Sequence, residues 1–483
     1  MFKKYRQQVF ILIGVVLAAL LFVFNPLQVD VKAAKVFSIA FLVIFLWITE
    51  ALPMAVTAML PLILFPITDV MSAKETAKSY GDTIIFLFMG GFFLGLAIEK
   101  WNLHKRIALN IVRLSGTNGN SIILGFIMAT GGISMWLSNT ATTMMLFPIA
   151  SSVILVMKEN NTKGNQHNFA IALMLVIAYA SNLGGIATII GTPPNVAYVG
   201  FIKDKLHHSI NFFDWIKLCM PLSVLLLLML YLVVTKFLYP NEMEKSEATA
   251  NYIQQELKTL GKISKTEKRV LFIFSFTAFL WITQGIINKL FAIKLDDAII
   301  AIIGATLLFA TPSGTTHEDN TSIPILVWKD TQKMAWGILI LFGGGLALAK
   351  GLEEAGLIQL LGNILADIAP ENLFLLILLI TTFSVFISEV MSNVAQVIIF
   401  SPVVTALAIS LHINPLYLGI PMCLGASCAG MLPMGTPPNA IAFSSGQIAL
   451  KDMLKTGFIM NIISILFISV ACYFLLPLLM ELM

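Results

Sequence analysis

Charged residues are scarce. Asp, Glu, Lys and Arg make up 12% of a 483-residue chain that is 58% hydrophobic, with a mean hydropathy of +0.89. A soluble domain carries about 25% charged residues, so this chain cannot clothe soluble domains of its length. A cytosolic enzyme, a disordered scaffold and a secreted disulfide module are excluded. Net charge is also small: 30 Lys and Arg against 26 Asp and Glu leave +4. No solvated domain with a basic stripe exists, which excludes nucleic-acid binding. Cysteine is rare. Cys219, Cys423, Cys428 and Cys472 lie in apolar surroundings without a CxxC pair and read as buried free thiols. None of the histidines, His104, His167, His207, His208, His317 and His412, has another four residues on, so no structural zinc site is expected. What the chain has instead is long apolar runs, enriched by 34 Phe and 23 Met. A bilayer span needs about 20 such residues. The chain reads as an all-α polytopic membrane protein. The basic start, Met1-Phe-Lys-Lys-Tyr-Arg6, leads into an apolar run with no small-residue cleavage site after it, which predicts a retained first span rather than a signal peptide.

Apolar segments fall at about 9–27, 36–52, 53–67, 82–99, 121–157, 168–200, 212–239, 270–290, 297–311, 335–350, 371–410, 415–447 and 455–480. Segments 121–157 and 371–410 are too long for one span. A helix of about 37–40 residues would run ~55–60 Å, about twice the hydrocarbon thickness. Each is interrupted by a polar cluster, Ser138-Asn139-Thr140 and Ser392-Asn393-Val394. Re-entrant hairpins with these clusters at their tips fit better, because non-helical backbone at depth is tolerated only where protein or a cavity surrounds it. Segments 168–200 and 415–447 each carry Gly-Thr-Pro-Pro-Asn, at 191–195 and 435–439. Tandem proline removes backbone donors and bars the preceding residue from helical geometry. Each segment is therefore expected to be two half-helices around an unwound loop.

The two halves match. Trp47-Ile-Thr-Glu resembles Trp281-Ile-Thr-Gln, Phe88-Met-Gly-Gly resembles Phe342-Gly-Gly-Gly, and the Ser-Asn and Gly-Thr-Pro-Pro-Asn clusters recur in the same order. This pattern reads as an internal repeat. Lys100, Lys105, Arg106 and Arg113 lie between 100 and 113 without an acid, whereas the matched stretch 350–371 carries one Lys, Lys350, against Glu353, Glu354, Asp367 and Glu371. Positive-inside placement then gives the halves opposite topology. The expected domains are an N-terminal extra helix (1–35), a first inverted repeat (36–240), a cytoplasmic linker (241–269) and a second inverted repeat (270–483). About eleven transmembrane helices follow, hairpins aside. The N-terminus is placed in the cytoplasm of a cell-membrane protein and the C-terminus outside. Lys203, Lys205, His207 and His208 run against this assignment by facing outward.

Inverted repeats with paired broken helices mark secondary transporters, with substrate held where the breaks meet. Half-helix N-termini suit carboxylates. Unwound carbonyls with Ser and Asn oxygens suit a hard cation such as sodium. A sodium-coupled organic-anion carrier follows. An anion channel is the alternative from another class. An intramembrane enzyme is disfavoured, since neither Ser138 nor Ser392 has a neighbouring His or Lys. Glu50 and Glu389 are costly at depth and read equally as functional groups or as solvated or paired structural ones at helix ends. Asp82 and Lys236 are placed at the interface. Gly90, Gly91, Gly95 and Gly343 to Gly345 are read as close helix packing.

Ser138-Asn139-Thr140, Ser392-Asn393, both Gly-Thr-Pro-Pro-Asn loops and Trp47-Ile-Thr-Glu-Ala-Leu-Pro53 resemble the divalent anion:sodium symporters, the INDY-type di- and tricarboxylate transporters, over nearly the whole chain. The resemblance implies two pseudo-symmetric sodium sites flanking a dicarboxylate. The first would use Ser134, Ser138, Asn139 and the Gly191 carbonyl, and the second Ser388, the Met391 carbonyl, Asn393 and the Gly435 carbonyl. Substrate carboxylates would meet Ser138, Asn139, Thr140, Asn393, Thr436 and Pro437, with Val394 beside them. It also implies a homodimer with elevator-type alternating access, no cofactor beyond coupling sodium ions, and exchange of dicarboxylates without net sodium as an alternative mode. The chain departs from the family at Val394, where the usual motif has Thr. The missing hydroxyl removes a hydrogen bond to a charged group, worth roughly 1.5–3 kcal/mol.

Overall fold

A computed structural model of the chain describes residues 6–160, 164–206, 210–316 and 322–480. The fold is almost wholly helical, and among the described residues ten helices are long and apolar enough to cross a bilayer. Hairpins aside, the membrane segments are Arg6–Phe24, Val31–Thr49, Met54–Ile67, Thr83–Lys100, the broken helix 166–206 and Phe212–Leu238. They continue with Lys265–Phe291, Asp297–Ala310, Trp336–Glu354, the broken helix 416–443 and Leu450–Met480. Of these eleven segments, Met54–Ile67 and Asp297–Ala310 are shorter than the ten span-length helices, while two of the ten, Asn139–Glu159 and Asn393–Ser410, are hairpin arms. The shapes differ in places. The apolar segment 53–67 divides into Met54–Thr57 and Leu60–Ile67, and Phe212–Leu232 ends in a π-helical turn, Val233–Leu238. A small antiparallel pair, Pro312–Thr316 with Ser322–Pro324, was not foreshadowed by any apolar pattern. Lys3, Lys4, His207, His208 and His317 lie outside the described residues.

Both long segments turn back on themselves. Gly119–Ser134 and Asn139–Asn160 form the first hairpin, and Leu373–Ile387 and Asn393–Ser410 the second. Both proline-bearing segments break. Gln166–Gly185 is followed by a short 3-10 turn and then Pro193–Leu206. Leu416–Ala426 is followed by an irregular stretch and then Pro437–Phe443.

The glycine-rich helices cross between halves at points where a side chain cannot fit. A Cβ on Gly90 would lie 2.6 Å from Ala301 Cβ, and one on Gly344 would lie 2.2 Å from the Ala58 carbonyl oxygen. Each half thus presses its glycine stripe against the other half's short helix, the close approach small residues permit. Trp47 and Trp281 play one role twice. Each buried indole N–H donates to the first carbonyl of the short helix that follows, at Met54 (3.2 Å) and Asp297 (3.1 Å).

The linker is not free chain. It forms the helix Glu247–Thr259, with Ile253 buried. It is tied to the basic amphipathic helix Leu103–Ser115 by Lys105–Glu256 (2.8 Å), while Arg106 reaches past it to Glu267 (2.6 Å) and the carbonyls of Leu260 and Gly261. Glu354, at the end of the matched helix in the second half, instead pairs with Lys32 at the start of the second membrane helix (3.6 Å). Lys203 donates to Thr83 at the beginning of Thr83–Lys100 (2.9 Å).

Candidate functional site

The hairpin tips are built from the same parts. In the first, Ser134 Oγ lies 2.8 Å from Asn139 Oδ1 and 2.7 Å from the Ser181 carbonyl. In the second, Ser388 Oγ lies 2.8 Å from Asn393 Oδ1 and also donates to the Ala426 carbonyl. Each serine ends the descending arm and each asparagine opens the ascending one, so a side-chain bond closes the turn where helix bonds cannot. Both serines are fully buried.

The broken helices are stapled by the asparagine that closes each pentapeptide. Asn195 Nδ2 donates to the carbonyls of Thr188 (2.8 Å), Ile186 (3.3 Å) and Gly185 (3.4 Å). Asn439 Nδ2 donates to Leu432 (3.2 Å) and Ala429 (3.3 Å). Carbonyls stranded where a helix ends need partners in a membrane, and these amides supply them.

Tip and break then meet. A Cβ on Gly185 would lie 2.3 Å from Asn139 Oδ1, and one on Gly191 would lie 3.0 Å from the Met135 carbonyl. Thr188 Oγ1 donates to that same Met135 carbonyl. Ser138 is half-buried and accepts from the Ala141 N–H (3.3 Å). Ser138 and Gly191 line a cavity of about 130 Å³ with Pro193, Trp136 and Phe88. In the second set, Gly435 and Thr436 are buried. Thr436 N-caps Pro437–Phe443 through the Asn439 N–H (3.4 Å), and Pro437, its first residue, is exposed. Thr140, Met391 and Val394 are half-buried beside their tips.

Four helices therefore start in this region, at Asn139, Pro193, Asn393 and Pro437, and four end there, at Ser134, Gly185, Ile387 and Ala426. The starts at Asn139 and Asn393 offer N–H groups and partial positive charge, whereas those at Pro193 and Pro437 offer partial positive charge without N–H groups in their first two residues. Ends offer carbonyls and partial negative charge. One site can hold an anion and cations with no fixed charge beside the tips except Glu389.

Three participants escaped the sequence reading. Asn182, 2% exposed, donates to Thr436 Oγ1 (3.1 Å) and Asn439 Oδ1 (3.4 Å) and accepts from Asn139 Nδ2 (3.4 Å). Tyr179 Oη donates to the Gly430 carbonyl (2.6 Å), at the second break. Asn461 Nδ2 donates to Glu389 (2.7 Å). Glu389 itself resolves toward the paired reading. It is buried at the second tip and also accepts the N–H groups of Gly430 (2.9 Å), Met431 (2.9 Å) and Leu432 (3.0 Å). Glu50 is exposed at a helix C-cap, and Asp82 N-caps Thr83–Lys100.

The sequence profile of the sodium:sulfate symporter transmembrane region matches residues 4–481. The chain belongs to this family. Among its relatives, the sodium-dependent dicarboxylate transporter SdcS of Staphylococcus saprophyticus is 39% identical over 96% of this chain and 91% of its own length. The Staphylococcus aureus protein of the same name is 37% identical over the same shares. Among solved structures, the Alcanivorax borkumensis YdaH transporter matches with a TM-score of 0.54 at 13% identity, covering 80% of this chain and 83% of the other. Neisseria gonorrhoeae MtrF matches with a TM-score of 0.54 at 11% identity, covering 83% of each. These two likenesses establish the fold alone. As a member of the symporter family the chain is a multi-pass membrane transporter, not an enzyme.

Proposed function

We propose that the chain is a secondary carrier of C4-type dicarboxylates, with succinate-like anions preferred, coupled to sodium. The observation that carries this reading is the twice-built pair of oxygens, Ser134 with Asn139 and Ser388 with Asn393, each beside a broken helix. Neutral oxygens and helix-end carbonyls are hard-cation ligands. One cation is assigned to Ser134, Ser138, Asn139 and the Gly191 carbonyl, the other to Ser388, Met391, Asn393 and the Gly435 carbonyl. The helix starts with Thr140 and Thr436 face the carboxylates. No Arg or Lys stands in either motif, so nothing calls for a more highly charged anion. The dicarboxylate relatives at 37–39% identity support the substrate class.

The same reading carries a homodimer with elevator-type movement, a cytoplasmic N-terminus and the inverted-repeat boundaries given above. The test is labelled succinate uptake into proteoliposomes, driven either by external sodium or by internal unlabelled dicarboxylate. Sodium-driven accumulation is expected. Uptake only by counterflow would make the protein an exchanger. Flux that never exceeds equilibrium would make it a channel, and no flux under either drive would overturn the substrate class.

A further inference from the structure

We infer that Asn182 is a positioning residue that commits the Thr436 hydroxyl to the substrate carboxylate and makes that commitment respond to the first cation. The inference rests on the functional reading above, and it concerns a residue outside both proposed ligand sets.

The chain of contacts has a direction. Ser134 has one proton and two acceptors in reach, Asn139 Oδ1 (2.8 Å) and the Ser181 carbonyl (2.7 Å). A cation seated on Ser134 Oγ and Asn139 Oδ1 leaves that proton to the Ser181 carbonyl. It also polarises the Asn139 amide, whose Nδ2 then donates more strongly to Asn182 Oδ1 (3.4 Å). Asn182 Nδ2 in turn donates to Thr436 Oγ1 (3.1 Å). Thr436 Oγ1 also receives the Asn439 N–H (3.4 Å). A threonine hydroxyl has two acceptor lone pairs and one proton. With both lone pairs engaged, it is left as a donor, which suits a carboxylate. The link is one-sided. Ser388 binds the Ala426 carbonyl as Ser134 binds that of Ser181, so the place of Asn182 is taken in the second half by Ser427, whose buried hydroxyl has no hydrogen-bond partner among the described residues. Asn393 is held by Ser388 (2.8 Å). A contiguous network that both ligands bias is what coupling requires, and the coupling is reciprocal.

The test uses the full chain in proteoliposomes, with KM for succinate measured at low and at saturating sodium. Asn182→Ala should shrink the ratio of those two KM values by about fivefold or more, the lower end of ordinary coupling. Asn182→Asp offers only acceptors when ionised, so it should draw the Thr436 proton to itself and raise KM at every sodium level. Asn182→Ser, which keeps a donor and an acceptor, should restore part of the ratio. Thr436→Val should lose the same sodium response, and adding Asn182→Ala to it should change nothing more. A merely structural Asn182 would lower the amount of folded protein and leave the KM ratio alone. A wild-type ratio in Asn182→Ala overturns the inference. If that variant does not fold, an unchanged ratio in Thr436→Val overturns it equally. Wild-type protein that takes up no succinate, or takes it up regardless of sodium, overturns the functional reading and this inference with it.

Discussion

Replacing Glu389 by alanine strands four donors at once, the buried Gly430 N–H and Asn461 amide and the half-buried N–H groups of Met431 and Leu432. Each unsatisfied buried donor costs roughly 1–3 kcal/mol. The sum is an upper bound, because water can enter the vacated space and recover part of it. The expected loss is therefore about 3–5 kcal/mol, the range seen when one partner of a buried charged network is removed. Glutamine gives a finer test. Three of the donors converge on Oε1 and only the Leu432 N–H on Oε2. A glutamine with its oxygen at the Oε1 position keeps three bonds, loses one and gives up charge assistance, so it should cost about half as much. Thermal melting in detergent, with sodium and succinate absent and then present, reads the order: wild type highest, Glu389→Gln between, Glu389→Ala lowest. Transport should follow the same order, since the carboxylate holds the break that carries the Gly435 carbonyl. A melting curve for Glu389→Ala that overlays the wild type would refute this reasoning, showing that the break keeps its shape without the carboxylate.

Asn139→Ala and Asn393→Ala should each abolish sodium-driven uptake while gel filtration and melting report folded protein; near-normal uptake in both would make them packing residues. Cysteines placed singly at Lys105 and Glu354, in a background lacking Cys219, Cys423, Cys428 and Cys472, should react with an impermeant thiol reagent from opposite sides of the membrane, and reaction from one side would end the inverted-repeat proposal. Val394→Thr is nearly isosteric and adds a hydroxyl beside Asn393; it should shift the preference between short dicarboxylates and citrate by about tenfold. An unchanged ranking with a lowered melting temperature would show that the side chain faces hairpin packing instead.

Much of the fold was legible because a bilayer allows few exceptions. An apolar run too long for one span has to turn back, and Ser134–Asn139 and Ser388–Asn393 are the bonds that close those turns. Tandem prolines have to break a helix, and Asn195 and Asn439 pick up the carbonyls the breaks release. The glycine stripes were readable as close packing, though not which helix they meet. Glu389 was visible as a costly charge. Its partners were not, because three are backbone N–H groups about forty residues on, a pairing that only the folded break creates. Asn182 left no signal. A lone amide in an apolar helix is ordinarily a helix–helix hydrogen bond, and the second half has no asparagine in its place but Ser427.

That last failure carries information about mechanism. Symmetry explains what the two halves share: a serine–asparagine tip and an asparagine-stapled break, the parts from which the two proposed cation sites are built. A symmetric site gives no reason for one half to respond to the other. Differences at three matched places stand out: Asn182 against Ser427, Thr140 against Val394, and Met135 against Glu389. Each changes a different physical quantity. Glu389 adds fixed negative charge and rigidity to the second tip alone, whereas at Met135 a backbone carbonyl takes the Thr188 hydroxyl. In the proposed site, Val394 withholds a donor on one side of the substrate. Asn182 joins the first tip to the second break. A carrier must bind its ions and its anion together and then release them, which requires that loading one part be felt by another. In the proposed site the repeated residues bind, and the unrepeated ones make binding at one place depend on binding at another.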